Sequence, residues 1–482
     1  MFSKWEKLPK SARSALVFGI CSFLTSGVSF LLTPLFTRIM DTEQYGFVTR
    51  YNSWHYILEV FALLGMASVG AFNVGLNDYR DRRDRFVSGM LILCNISTII
   101  TFGVILFIKY FFFRTIVLPA VMLLIMLVGY LISPALTFYT ARCRYEYRYK
   151  PAAVATIISV FVGQGLSVAM VLMAANGNPP FGMAESDLKV LGVTAGLVIV
   201  ALPLYILAIK RGGIKPDMKM VKSMTLFALP LLPHYLALHV MNGADRIMVG
   251  NLVSDGAAGI YGVASAIGYA TSYIWTAING SLMPFVFEKK NSGDIESIRR
   301  VTRLIVTFYA GLVVMVTLAA PELLMILAPE EYSEGLKAIP PIAAMIFLNA
   351  LYNIYASIEF YYKRSIGIAI STIIAAVVNI VLNLIFIPEY GLTAAAYTTL
   401  VANAVLTFCH YVGFRICCKE KLFSNRSFLL ISILCTASCL GISLLYEENI
   451  IRYAIMAVVC LIILIKHRYI IDVIKTAMGR KK

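Results

Sequence analysis

Tyr79-Arg80-Asp81-Arg82-Arg83-Asp84-Arg85 opens a stretch that runs from Phe86 to Thr140 with only Lys109 and Arg114 as charges. It closes on Arg142-Cys143-Arg144-Tyr145-Glu146-Tyr147-Arg148-Tyr149-Lys150. Two apolar runs, 86–110 and 116–140, therefore lie between two basic clusters. A run of about 20 apolar residues crosses ~30 Å of hydrocarbon as a helix. Loops rich in Lys and Arg stay in the cytoplasm. The stretch thus reads as one helix out and one helix back, with both basic clusters inside.

The same grammar extends in both directions. Spans are expected at 14–37, 51–73, 86–110, 116–140, 152–175, 188–210, 223–243, 256–287, 299–327, 337–361, 364–387, 391–415, 427–446 and 450–466. The eighth is long enough to tilt or to extend beyond the membrane. The fold class is therefore all-α integral membrane, with about fourteen transmembrane helices and no sizeable soluble domain between them. Hydrophobic residues make up 59% of the chain and charged residues 14%, and mean hydropathy is +0.79; a soluble protein carries nearer ~25% charge. The first run lacks a preceding cleavable signal with a small-residue site, so it is expected to be a permanent span.

With the N-terminus inside, the outside segments hold eight of the 42 Lys and Arg: Arg38, Arg50, Lys109, Arg114, Lys189, Arg246, Lys337 and Arg452. The rest fall in inside segments. This alternation supports an even number of spans with both termini cytoplasmic. It also explains the net charge of +16 without nucleic acid, because the cations sit at span ends rather than in one stripe or tail. They suit acidic lipid headgroups. The nine cysteines show no metal spacing. Cys417 and Cys418 are adjacent, and no structural disulfide is expected.

Two stretches six spans apart look alike. Thr37-Arg38-Ile39-Met40 precedes Tyr45-Gly46-Phe47-Val48, and Asp245-Arg246-Ile247-Met248 precedes Gly259-Ile260-Tyr261-Gly262-Val263. An even offset places both copies on the outer side, as a parallel repeat about an axis along the membrane normal. The expected organisation is an N-terminal six-helix lobe (1–215), a C-terminal six-helix lobe (216–420), and two additional spans with a cytoplasmic tail (421–482).

Thr33-Pro34-Leu35-Phe36-Thr37-Arg38 with Glu43-Gln44-Tyr45-Gly46 resembles the opening signature of bacterial oligosaccharide (O-antigen type) flippases. Asp245-Arg246-Ile247-Met248 with Gly259-Ile260-Tyr261 is similar to their second-half signature, and Ile387-Pro388-Glu389-Tyr390-Gly391-Leu392-Thr393-Ala394-Ala395-Ala396 resembles their turn between spans eleven and twelve. These flippases belong to the multidrug/oligosaccharidyl-lipid/polysaccharide exporter superfamily. The resemblance implies two helical lobes around a cavity that opens alternately to each side. It implies a polyprenyl-diphosphate-linked oligosaccharide as cargo, carried from the cytoplasmic to the outer leaflet of the bacterial cytoplasmic membrane. Polysaccharide polymerase and glycosyltransferases are the implied partners beside the membrane lipids.

Several residues stand out against the apolar background. Glu59 lies near the middle of span two and shares a helical face with Asn52, His55, Ala62 and Met66. A mid-membrane carboxyl is costly and marks an ion path or a packing bond. Glu59 and His55 are the ion-coupling candidates, with H+ or Na+ as the ion and no other cofactor. His234 sits between Pro233 and Tyr235, a turn after Pro230, where two prolines loosen the helix; His239 lies nearer the outer end. Gln164, Asn279 (one turn from Trp275), Asn349 and Asn353 suit a sugar path, and so do Asn379 and Asn383. Each also suits a hydrogen bond between helices, which is the commoner use.

Arg38, Arg50 and Arg246 break the outside-poor rule at matching places in the two halves. They either grip phosphate or fasten Asp41, Glu43 and Asp245 in loop salt bridges. Arg13 and Arg303 are candidates to receive the cargo's phosphates at the inner opening. There is no P-loop, no Ser-His-Asp set and no metal-ligand set, so the chain is expected not to be an enzyme. The rival readings are a drug or cation exporter of the same superfamily, a peptidoglycan-precursor flippase, and a membrane glycosyltransferase or polymerase. The last would need a larger soluble loop than this chain has.

Overall fold

The computed structural model describes residues 27–66, 69–111, 118–418 and 421–461, together with residues 17, 19, 21, 24 and 25. Arg13, Arg114 and the last part of the fourteenth expected span lie outside the described residues. Every long element is helical, and no strand occurs among the described residues.

The helices follow the expected spans. The first span is α1 (Gly27–Ile39), and the second is split between α2 (Thr42–Ala62) and α3 (Val69–Asp78). Then come α4 (Arg83–Phe111), α5 (Ala120–Tyr145), α6 (Tyr149–Ala175) and α7 (Glu185–Gly212). The seventh span is α8 (Met218–Ala228) and α9 (Leu232–Leu252), joined by a 3-10 turn at Leu229–Leu231. The eighth is α10 (Asp255–Asn291). Its 37 residues rise about 55 Å at ~1.5 Å each, which exceeds the hydrocarbon thickness. The ninth is α11 (Ile295–Leu318) followed by α12 (Ala320–Leu327), and the tenth is α13 (Ile339–Tyr361). Spans eleven and twelve form α14 (Ser365–Cys417), which folds back on itself at Gly391 (φ 62°). The thirteenth is α15 (Asn425–Ile442), and the fourteenth is α16 (Asn449–Leu461).

Nine helical stretches among the described residues are long and apolar enough to cross a bilayer by themselves. α2 and α10 are not among them; α2 carries Arg50, Asn52, His55 and Glu59 within its length. Large apolar side chains such as Ile99, Ile100, Phe107, Leu124 and Ile158 face outward, as befits a protein whose solvent is lipid.

The chain divides into two compact units, Met1–Asn251 and Leu252–Lys482. The seventh span packs with the first unit, whereas the repeat placed the lobe boundary near residue 215. Within each unit one helix is central. In the first, 56% of the apolar stretch of α5 is buried, against 22% for α4 and α6 and 28% for α7. In the second, 78% of that of α13 is buried. These are the fourth and tenth spans, six apart.

The core of the first unit is built from Met66, Phe72, Phe86, Met90, Met122, Met126 and Phe138, with Phe72 stacked on Phe138 at 4.3 Å. α6 and α7 meet through the small-residue stripe Ser159, Gly163 and Ser167 against Gly192 and Gly196. Small residues let helix backbones approach where lipid offers no hydrophobic drive to associate.

The second span was expected to be continuous over 51–73. It is instead interrupted after Ala62, where Leu64 and Gly65 take left-handed conformations (φ 50° and 63°). A side chain at Gly65 would also press on the Tyr235 ring. A break in mid-membrane frees carbonyls, and unpaired carbonyls are costly there. α4 supplies the donors. Ser97 donates to the Phe61 carbonyl (2.7 Å), Thr98 to that of Ala62 (3.3 Å) and the Cys94 thiol to that of Leu63 (3.8 Å).

Candidate functional site

In the first unit the polar face of α2 meets α9. The helices cross closely at Ser53 and Gly243, where an added methyl would come within 3.3 Å of the Ser53 Cβ. Tyr56 stacks flat on His239 (5.9 Å, 4°). His55 packs its ring on Tyr130 at 4.8 Å, and the Tyr130 hydroxyl donates to the His55 backbone carbonyl. Glu59 stands one turn further along, half-buried and a single turn before the helix break. Its carboxylate makes no hydrogen bond or ion pair among the described residues, while its charge reaches the Tyr130 phenol. α2 thus holds a carboxyl that packing does not occupy, beside two histidines and two tyrosines. Glu59 and His55 share this neighbourhood without a hydrogen bond between their side chains.

His234 lies beyond the Pro230 turn with its ring 5.6 Å from that of Tyr235. The prolines do loosen the seventh span, as the short 3-10 stretch shows.

The three arginines expected on the outer side separate into two kinds. Arg50 is buried and donates to Asn251 Oδ1 at 2.7 Å, joining α2 to the end of α9. Arg38 and Arg246 both fold back onto their own helices. Arg38 donates to the Pro34 carbonyl (3.0 Å) and Arg246 to that of Asn242 (2.8 Å), each four residues earlier. The two R-I-M stretches therefore share a side-chain conformation as well as a sequence. Arg303 is exposed on α11.

Most of the amide candidates are occupied by protein. Gln164 donates to Ser29 Oγ (3.1 Å), tying α6 to α1. Asn353 donates to the backbone and side-chain oxygens of Asn349, 2.8 Å and 3.1 Å away on the same helix. Asn379 and Asn383 are fully buried and lace the two arms of α14 together. Asn379 donates to Thr399 (3.0 Å) and Asn383 to Asn379 (3.3 Å), while Thr398 donates to Asn383. Asn279 differs, because its Oδ1 is buried with no partner among the described residues. The indole N–H of Trp275, one turn away, is also buried without one among them.

Two features were not read from the sequence as sites. At the end of the first unit that the charge pattern assigns to the cytoplasm, a cavity of about 500 Å³ is lined by Arg80, Arg83, Arg144, Tyr145 and Tyr147. Arg83 stacks over Tyr145 at 5.1 Å and lies 3.5 Å from Glu146. Its arginines were visible as a basic loop, but the loop gave no sign that they converge. In the second unit Glu359 of α13 and His410 of α14 lie 2.5 Å apart, each 1% exposed. Glu359 stands two residues from the end of its span, where a carboxylate reads as interfacial. Its burial is set by α14 and cannot be seen in α13 alone.

The sequence and fold have relatives. A family model described as polysaccharide biosynthesis protein matches residues 11–290. No curated protein matches the chain significantly. Among solved structures the chain is similar to a lipid II flippase, MurJ, in an inward closed conformation. The TM-score is 0.69 at 14% identity, over 94% of this chain and 100% of that one. It is also similar to a multidrug resistance MATE family transporter of the MOP superfamily in an inward-facing conformation (TM-score 0.58, 13% identity, 86% and 95% covered). An outward-facing MATE transporter of that superfamily gives 0.56 at 15% identity, with 89% and 98% covered. At these identities the likeness is one of fold.

Proposed function

Because the chain belongs to the polysaccharide biosynthesis protein family, which its match over residues 11–290 of 482 carries, we propose that it is a lipid-linked oligosaccharide flippase. Its cargo is a polyprenyl-diphosphate-linked sugar repeat unit. The cargo moves from the cytoplasmic to the outer leaflet of a bacterial cytoplasmic membrane, with both protein termini on the cytoplasmic side. Sugars and a diphosphate do not cross hydrocarbon unaided, because each polar group stripped of water costs several kcal/mol and charges cost more. A multi-pass helical protein with polar surfaces inside it lowers that barrier without chemical turnover. The reading is therefore of a transporter rather than an enzyme.

The residues of the first unit suit the task. The cavity lined by Arg80, Arg83 and Arg144 offers guanidinium groups, which pair well with phosphate oxygens. The α2–α9 face offers tyrosine, histidine and a carboxyl. Solved structures of similar fold include an inward-facing and an outward-facing transporter, which fits transport by alternating access. Glu59 and His55 are the first unit's candidates for coupling to H+ or Na+. Surface-polysaccharide polymerase and glycosyltransferases are the partners that would consume and supply such cargo.

One observation favours a second reading. The solved structure with TM-score 0.69 is a lipid II flippase, so a peptidoglycan-precursor lipid is the competing cargo. A drug cation is the third. Purified protein in proteoliposomes separates them, using fluorescent polyprenyl-diphosphate oligosaccharide, lipid II or a fluorescent drug cation, each scored by protection from an impermeant quencher. Translocation of the oligosaccharide lipid in preference to the other two is expected. Transport of the drug cation alone would overturn the reading, and preference for lipid II would move it to the second.

A further inference from the structure

We propose that Glu359 and His410 together form a proton-binding site inside the second unit that holds one exchangeable proton, distinct from the Glu59 and His55 candidates of the first. Its role in transport rests on the flippase reading above; the binding of the proton does not.

The geometry is specific. His410 Nδ1 lies 2.5 Å from Glu359 Oε2, and both side chains are 1% exposed. Tyr352 stacks on the His410 ring at 5.3 Å and fixes its plane. Gly413, one turn beyond His410, makes room for the carboxylate, since a methyl there would collide with Glu359 Oε1. Space on α14 is thus shaped around a carboxyl group borne by α13.

Counting protons gives the ligand. With none, the pair is a carboxylate beside a neutral imidazole and carries one negative charge. With two, it is a carboxylic acid beside an imidazolium and carries one positive charge. With one, it is neutral overall, as carboxylate with imidazolium or as acid with imidazole. A net charge sealed away from water is heavily penalised, and a paired one much less. The closed site therefore favours one proton.

A second observation bears on how that proton exchanges. His410 Nε2 is buried and has no hydrogen-bond partner among the described residues. Such orphaned groups are rare in finished protein interiors. An imidazole with one nitrogen committed to a carboxylate and the other uncommitted can relay a proton.

On α14, Cys409 and Cys417 lie within reach of the Glu359 charge, and Arg364 at the helix start lies within reach of Cys417. α13 contributes Tyr352 and Tyr355, with Tyr411 of α14 against Tyr355. α10 faces Tyr352 with Tyr269. α15 faces Tyr355 with Phe428, and α11 faces Phe347 of α13 with Tyr309.

The test uses the full chain. Purified wild type, Glu359→Gln, His410→Gln and the double variant Glu359→Leu, His410→Leu are moved between about pH 3.5 and about pH 9, a range that brackets ordinary carboxyl and imidazole titration. Proton release is counted with a pH dye. The Leu pair should release about one proton fewer per molecule than wild type, as expected for a site that holds one proton, and each single variant, which keeps one titratable group, should release its proton over a pH interval displaced from that of wild type. The Leu pair removes both charges together and keeps the test open if a single variant fails to fold. Equal release by wild type and the folded Leu pair would overturn the proposal. The same proteins then enter proteoliposomes with fluorescent polyprenyl-diphosphate oligosaccharide and an imposed pH gradient. Wild type should accumulate the lipid in one leaflet. The variants should only equilibrate it, with the gradient response lost. Gradient-driven accumulation by the variants would end the coupling role. Absence of any flipping by wild type would count against the proposed function while leaving the proton count standing.

Discussion

The Lys189 ammonium sits 4.1 Å from the centre of the Phe36 ring, and Tyr45 offers it a second ring face at 4.3 Å. These rings belong to the opening signature Thr33-Pro34-Leu35-Phe36 … Gln44-Tyr45-Gly46. Gln44 adds to the same joint by accepting the Ser186 backbone N–H at 3.2 Å. The signature is thus a clamp that docks α1 and α2 onto the start of α7. A cation held between two aromatic faces is worth about 2 kcal/mol or more when desolvated. Lys189→Met should lower the melting temperature in detergent and loosen the outer end of α1, seen as faster hydrogen exchange over residues 33–46. Unchanged exchange there would show that the clamp contributes nothing.

That joint shows what sequence could and could not reveal. The spans were legible because lipid imposes length and apolarity on each one separately, and Lys and Arg cluster where spans end. The signature was legible as a pattern. Its partner Lys189 was not, because it lies some 150 residues away and read only as an exception to the outside-poor rule. The break after Ala62 was hidden for a similar reason, since the donors that make it tolerable, Ser97 and Thr98, belong to α4. Glu59 could be singled out from its place at mid-span. Glu359 could not, because the neighbour that seals it arrives with the next two spans.

Another exception to the charge rule, Arg452, also has a structural partner. It is 1% exposed and meets both Glu322 oxygens, at 2.5 Å and 2.7 Å, while donating to the Leu318 carbonyl at 2.8 Å. The contact pins the start of α16 to the end of α11 and the head of α12. Removing one member of a buried pair costs about 3–5 kcal/mol, and the partial exposure of Glu322 puts this case near the lower end. Arg452→Ala should therefore lose about 3 kcal/mol of stability, and Glu322→Leu with Arg452→Met should recover much of it. Denaturant titration in detergent checks both. Equal loss in the single and double variants would mean that the pair does not act as a unit.

The matched pair Arg38 and Arg246 separates phosphate contact from loop fastening. Each guanidinium donates to a carbonyl of its own helix, and neither is buried as Arg50 is. Arg38→Ala with Arg246→Ala should keep expression and melting temperature close to wild type and slow flipping by at least about tenfold, as expected when a charge-assisted contact of about 1.5–3 kcal/mol is lost. Lysine at both positions should restore part of the rate, because it keeps the charge but not the bidentate grip. Arg50→Ala should instead reduce the amount of folded protein. Wild-type flipping by the Arg38 and Arg246 double variant would discard the phosphate role for both.

Glu59 presents the sharpest alternative between packing and function. Its carboxylate has no hydrogen bond or ion pair among the described residues, though it stands in mid-span beside His55, Tyr56 and Tyr130. A carboxyl kept for packing would be bonded to a neighbouring helix, as Asn379 is to Thr399. One that binds an ion must be able to lose and regain its charge as its surroundings change. Glu59→Gln preserves shape and hydrogen-bonding capacity but cannot titrate. If Glu59 couples flipping to a gradient, the Gln variant should reach the membrane at normal levels, still equilibrate the lipid-linked oligosaccharide across proteoliposomes, and fail to accumulate it under an imposed pH or sodium gradient. Glu59→Asp should recover part of the gradient response, since it restores a titratable group about one methylene short of its place. The packing alternative predicts nearly full activity for Gln and poor folding for Leu. Measuring the three variants under a pH gradient alone and a sodium gradient alone also separates the two ions. Gradient-driven accumulation at the wild-type level by Glu59→Gln would sink the coupling role and leave Glu59 as a polar contact on the α2–α9 face.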